Sequence, residues 1–105
     1  MARPTEHGEI WIATVDKRRP VVIVSRDDLH GRRQQTTIAL VTHTIHDVPT
    51  QVVIDHRDGL PDLSVVNCDA LQTVWKSTLE RRLGRLSASK IDALDDALRY
   101  ALQLR

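Results

Sequence analysis

Apolar residues come in short runs bounded by charged residues, proline or glycine, until one long periodic segment closes the chain. In "GEIWIATV" Ile10 and Ile12 alternate with Trp11 and Ala13, which predicts a half-exposed strand. "VVIVS" (Val21 to Ser25) does not alternate, so it predicts a strand covered on both faces, with Pro20, which lacks an N–H, as its first residue. "DKRRP" between these runs is too short for a helix and reads as a turn. "TTIALVTHT" (Thr36 to Thr44) is β-branched and apolar until Thr42 and predicts a third strand. "TQVVID" (Thr50 to Asp55) predicts a fourth and "LSVVNCD" a fifth, with Gly31 and Asp58-Gly59 as loop turns. "STLERRL" has a capping pattern, Ser77 with Glu80 three residues on, and predicts a short helix. In "SASKIDALDDALRYALQLR" Ile91, Leu94, Leu98, Ala101 and Leu102 share one helical face, and Ser87 or Ser89 caps the start. Five short strands followed by a helix predict a mainly β fold with helices, built as a small barrel-like sheet that removes exposed edges.

The 105 residues are enough for one domain and a core without staples. We read residues 1–7 as a loose tail and 8–105 as that domain. Hydrophobic residues make up 41% but aromatics only 3%, so the core is aliphatic. Cys68 is the single cysteine and has no internal disulfide partner, which fits a reducing, cytoplasmic setting. No apolar run reaches the roughly 20 residues of a membrane span, and "MARPTEHGE" lacks the apolar stretch of a signal peptide.

The formal net charge is only +1, unlike domains that coat duplex DNA. The cations are clustered, however, in "DKRRP", "HGRRQ" and "WKSTLERRLGR", while acid gathers in "DALDDAL". Such clustering suits a local patch for a short single-stranded substrate.

Motif chemistry narrows the choice. His43 and His46 form an H-x-x-H pair, but at a strand end positions three apart point to opposite faces, so no metal site is expected. Cys68 follows an apolar run and reads as a buried small hydrophobe, and no nucleophile signature surrounds it. The four glycines are isolated, so there is no phosphate-cradling loop. What remains is polar groups at strand ends: Lys17, Arg18 and Arg19 entering the second strand, Thr42 leaving the third, and Gln72, Thr73 and Lys76 after the fifth. Guanidinium groups grip phosphate, a hydroxyl stabilises a developing oxyanion, and Trp11 and Trp75 offer faces for unpaired bases. The alternative is a set of solvated turns with snorkelling side chains.

"GEIWIATV", "RRPVVIVS", "IALVT" and "SVVNCDALQTVWKSTLERRLGRLS", in that order before an amphipathic helix, resemble the MazF/PemK toxins of bacterial toxin–antitoxin pairs. The likeness runs from Gly8 to Leu104. It implies a small SH3-like barrel, a homodimer, and a metal-independent endoribonuclease without cofactor. Such an enzyme cuts single-stranded RNA by attack of the 2′-hydroxyl on the adjacent phosphorus. The products are a 2′,3′-cyclic phosphate and a 5′-hydroxyl end, and a cognate antitoxin silences the activity. By the same resemblance Arg19 sits at the scissile phosphate and Thr42 stabilises the transition state; Lys17, Arg18, Gln72, Thr73, Trp75 and Lys76 are expected to bind substrate as strand-end polar groups and a stacking face. Arginine's pKa, about 12 or more, makes it an awkward general base, so charge stabilisation is its favoured role. A CcdB-type toxin that binds DNA gyrase on the same barrel, or a non-catalytic antitoxin-sequestering homologue, is the competing reading.

Three features depart from the family pattern. The turn "VDKRRP" is short where relatives often carry a longer, glycine-containing loop; Gln72 stands where many have Arg; and Trp75 stands where they often have Asp.

Overall fold

The structure is a computed structural model that describes residues 2–105. Its strands are β1 (Glu9–Thr14), β2 (Arg18–Ile23), β3 (Gln35–Thr42), β4 (Gln51–Ile54), β5 (Ser64–Trp75) and β6 (Leu79–Arg85), and α1 (Ala88–Leu102) follows them. Short 3₁₀ turns occupy His56–Asp58 and Lys76–Thr78. All pairings are antiparallel, in the order β4-β5-β3-β2-β1-β6. Ile54 of β4 and Ile10 of β1 are not on neighbouring strands, yet both belong to one core cluster. The sheet therefore curls into a half-barrel around that cluster, and Leu94 and Ala97 of α1 seal it.

The opposite face is also buried. Trp11, Ala13, Val21, Ile23, Ile38 and Leu79 form a second cluster there. This corrects the half-exposed reading of β1: Ile10 and Ala13 are fully buried and Trp11 is 7% exposed, so alternation sorts residues between two cores. Trp11 is accordingly a core residue and no stacking platform; its indole N–H donates to Glu9 and the Arg3 guanidinium lies 5.1 Å above its ring.

Two further expectations change. "STLERRL" forms no α-helix. After the 3₁₀ turn it becomes β6, which pairs along β1 from Ala13↔Leu79 to Glu9↔Arg85. Glu80 does not cap; it accepts from Thr14 Oγ1 at 2.5 Å and Arg18 Nε at 2.9 Å. Burial of Leu79 and a full ladder outweigh a local cap. The fifth strand runs on to Trp75 because Cys68, Asp69 and Ala70 form a bulge: Leu40 faces Asn67 while Ala39 faces Leu71. Asp69, where the predicted strand ends, lies in that bulge.

The terminal helix forms as expected, with Ser87 Oγ accepting from Lys90 N and Gln103 (φ 57°) ending it. Leu102 departs from the predicted face and is exposed, while Ala97 is buried. Lys90 Nζ reaches the Val53 carbonyl on the β4 edge.

Residues 2–7, expected to be loose, are held against the sheet. Thr5 bridges Asp28, Ala2 N donates to Gly31 O at 3.1 Å, and His7 Nε2 lies 2.6 Å from Asp95 of α1. Gly31 has φ 61°, and a Cβ there would lie 1.9 Å from the Ala2 carbonyl, so this close approach requires glycine. Among the described residues no helix is long and apolar enough to cross a membrane.

Candidate active site

β1 and β2 are joined by a tight turn in which Asp16 accepts from Lys17 N at 2.9 Å. The turn sets Arg19 opposite Ala13, and the β2–β3 register brings it beside the end of β3. Arg19 is only 15% exposed at its side chain. One terminal nitrogen donates to Asp16 Oδ2 at 3.0 Å and the other to the Val41 carbonyl at 2.7 Å. Its Nε–H is buried and finds no acceptor among the described residues. A buried donor without a partner carries a desolvation cost. Partial burial pushes the Asp16 carboxyl up, but the Lys17 amide and the Arg19 charge outweigh it and hold the group below its ordinary value.

Thr42 closes β3 opposite Val65, and its hydroxyl accepts from Thr44 N at 3.3 Å. Arg19 and Thr42 line one cavity of about 300 Å³. Leu40, Thr44, His46, Gln51, Asn67 and Ala70 complete it. Gln51 shapes its rim by accepting from His46 N and donating to Thr44 O, which folds the loop after β3 back over the strand end. The pair singled out in the sequence thus meets in space. His46, Gln51 and Asn67 escaped as site residues because they come from a loop, β4 and the β5 bulge, and no linear spacing joins them. His43 turns away from His46, its ring near the Leu63 carbonyl and Ser64 hydroxyl. Among the described residues no group of three or more His, Cys, Asp or Glu is gathered as a metal site.

The remaining sequence candidates divide. Lys17 and Arg18 stay at the Arg19 end, exposed, with Arg18 tied to Glu80. Gln72, Thr73, Trp75 and Lys76 do not join them. Gln72 pairs with Ile38, Thr73 with Thr37 and Trp75 with Gln35, so they run toward the far end of the 8-residue β3, about 25 Å from Thr42. Lys76 is buried, and its ammonium donates to Asp28 at 2.6 Å and the Arg3 carbonyl at 3.0 Å. That corrects its assignment to substrate: it is a structural cation. The Lys76 hydrogen bond and the Arg33 and Arg32 amides hold the Asp28 carboxyl far below its ordinary value. Burial pushes the Cys68 thiol up to about 11, in keeping with an inert core residue.

This fold, with a cationic strand entrance facing a hydroxyl-bearing strand end, has close counterparts. The family of PemK-like, MazF-like toxins of type II toxin–antitoxin systems matches residues 6–102, and the chain belongs to it. It is 39% identical over 95 residues to the endoribonuclease MazF3 of Mycobacterium tuberculosis (strain ATCC 25618 / H37Rv), a match covering 90% of this chain and 92% of that one. Among solved structures, the Mycobacterium tuberculosis toxin MazF-mt6 superposes with a TM-score of 0.87 at 38% identity, covering 92% of this chain and 98% of its own. An endoribonuclease in complex with its cognate antitoxin, from a mycobacterial species, shares the fold with a TM-score of 0.86 at 24% identity, over 96% of this chain and 97% of that one.

Proposed function

We propose that the protein is the endoribonuclease toxin of a toxin–antitoxin pair, a sequence-preferring, metal-independent enzyme that cuts single-stranded RNA. The observation that carries this reading is the shared cavity of Arg19 and Thr42, with Arg19 anchored on both sides and one donor unspent. The scissile phosphate lies in that cavity. The 2′-oxygen of the preceding ribose forms a bond to phosphorus and the bond to the 5′-oxygen breaks. This leaves a 2′,3′-cyclic phosphate and a 5′-hydroxyl. Charge builds on the nonbridging oxygens, where the fixed Arg19 cation and the Thr42 hydroxyl stabilise it. A proton leaves the 2′-hydroxyl and one reaches the 5′-oxygen. His46, the imidazole lining the cavity, is the group suited to such transfer. Asp16 fixes the guanidinium plane and yields a hydrogen bond when phosphate enters.

The relatives are named as endoribonucleases, and one is solved with its cognate antitoxin, which supports this activity and an antitoxin partner. A homodimer fits the apolar residues left exposed on and just after the C-terminal helix and in the loop after β3: Ile45, Val48, Tyr100, Leu102 and Leu104. Action in the cytoplasm fits a single free thiol.

The test is to incubate the protein with a long single-stranded RNA in excess chelator, beside Arg19→Ala, and to map the new 5′ ends. Discrete cuts with 5′-hydroxyl ends, lost in the variant, are expected. A rate that chelator abolishes and magnesium or zinc restores overturns the metal-independent mechanism. No cuts by the folded protein overturn the nuclease reading.

A further inference from the structure

The end of the sheet remote from Arg19 carries charge that the cleavage chemistry does not use. The loop from β2 to β3 holds Arg26, Arg32 and Arg33, none of which makes an ion pair with a carboxylate among the described residues. Trp75 ends β5 directly opposite Gln35, two positions from Arg33, and is 59% exposed. The loop is pre-arranged: the Asp28 carboxylate accepts from the Arg32 and Arg33 amides and from Lys76, and Lys76 N donates to Gln34 O. Lys76 cancels the charge of Asp28, so the arginines outweigh the remaining acid, Asp27. The Arg19 end is the opposite. It exposes Asp16, Asp47, Asp62 and Asp69, and Arg18 and Arg19 are already paired. Lys17 and Arg81 are the exposed cations left unpaired there among the described residues, so that end offers few free cations against four exposed carboxylates.

Resting on the nuclease reading above, we propose that Trp75 with Arg26, Arg32 and Arg33 forms a second binding surface for the single-stranded RNA substrate. It holds a stretch of the strand several nucleotides from the cleaved bond. A base stacks on the exposed indole and the flanking phosphates meet the guanidinium groups, the combination that binds unpaired RNA without reading its sequence. The separation of about 25 Å along β3 makes the surface a sensor of substrate length. The short cleaved sequence is held at one end and the flanking strand at the other.

Wild type, Trp75→Ala and the double variant Arg32→Gln/Arg33→Gln are compared on two RNAs, one spanning only the mapped cut site and one extended on both sides. Steady-state cleavage and equilibrium binding are both measured. Wild type should favour the extended RNA through KM. Trp75→Ala should raise that KM about tenfold, the weight of one base–aromatic stack, with kcat and the short substrate unaffected. The double variant should also flatten the salt dependence of binding, by about 0.7 in the log–log slope for each phosphate it no longer neutralises. Unchanged activity on the short RNA shows that the variants are folded. Equal handling of the extended RNA by all three proteins overturns the proposal. So does normal RNA binding with weakened binding of polyglutamate, which would assign the surface to an acidic protein. If wild type cuts neither RNA, the nuclease reading falls, and equilibrium binding of the extended RNA to the three proteins still decides whether this surface binds RNA.

Discussion

The two ends of the half-barrel handle cations in opposite ways. At one end Arg19 is drawn in, two nitrogens committed to Asp16 and a carbonyl and one donor buried without a partner. At the other, Lys76 is wholly sequestered by Asp28 and the Arg3 carbonyl, which leaves the neighbouring loop arginines outside. A buried cation whose acceptors satisfy it is structure. A half-buried cation with donor capacity to spare, in a cavity with a hydroxyl, is the arrangement on which the proposed chemistry rests. The residue types are similar, and what separates them is the acceptors each strand end supplies.

The sharpest way to break this contrast is to remove Arg19. Arg19→Ala should lower the cleavage rate about 10²–10³-fold, the usual cost of one oxyanion contact, with little change in thermal midpoint. A variant that cuts at the wild-type rate would show that Arg19 has no role in cleavage. Next in size, Thr42→Val should slow cleavage about 10- to 100-fold, since a hydrogen bond to a charged group is worth about 1.5–3 kcal/mol. Substrate-saturated rates settle whether that loss falls on kcat.

Lys76→Met tests the other end. It strands the partly buried Asp28 carboxylate, so the thermal midpoint should fall by several degrees while kcat of the folded enzyme stays put. A loss of kcat without loss of stability would return Lys76 to the substrate. The smallest expected effect is on acid stability. The folded-state pKa of Asp28 lies below its ordinary value of 3.8. Its contribution is therefore fully present above that value and is lost as pH falls below it toward the folded value. Denaturation followed across that acid range should show Asp28→Asn less stable near neutrality but with a flatter decline. Parallel curves for the two proteins would mean that the pair contributes nothing.

Where the chain's own pattern spoke clearly, it spoke through local physics. Uniform Val and Ile in β2 left no face for water, and the structure buries Val21, Val22 and Ile23 completely. Helical spacing with a serine cap at Ser87 set the last element. Ordered motifs identified the family, and a strand-end arginine and threonine marked one cavity. The "STLERRL" segment misled because its capping signal is local, whereas the β1 edge waiting to be paired lies more than sixty positions earlier in the chain.

The residue pattern alone was enough for a small mainly β toxin-family domain with an aliphatic core and a C-terminal helix, and for Arg19 and Thr42 as candidates at strand ends. The folded arrangement was needed to show that β1 is buried on both faces and that β5 bulges at Cys68 to Ala70. It alone brought His46, Gln51 and Asn67 to the cavity and carried Trp75 and Lys76 to the other end. The reason is that periodicity reports which side chains prefer to leave water, while register and curvature decide which partners they meet. Those depend on pairings between distant strands that no short window of sequence contains.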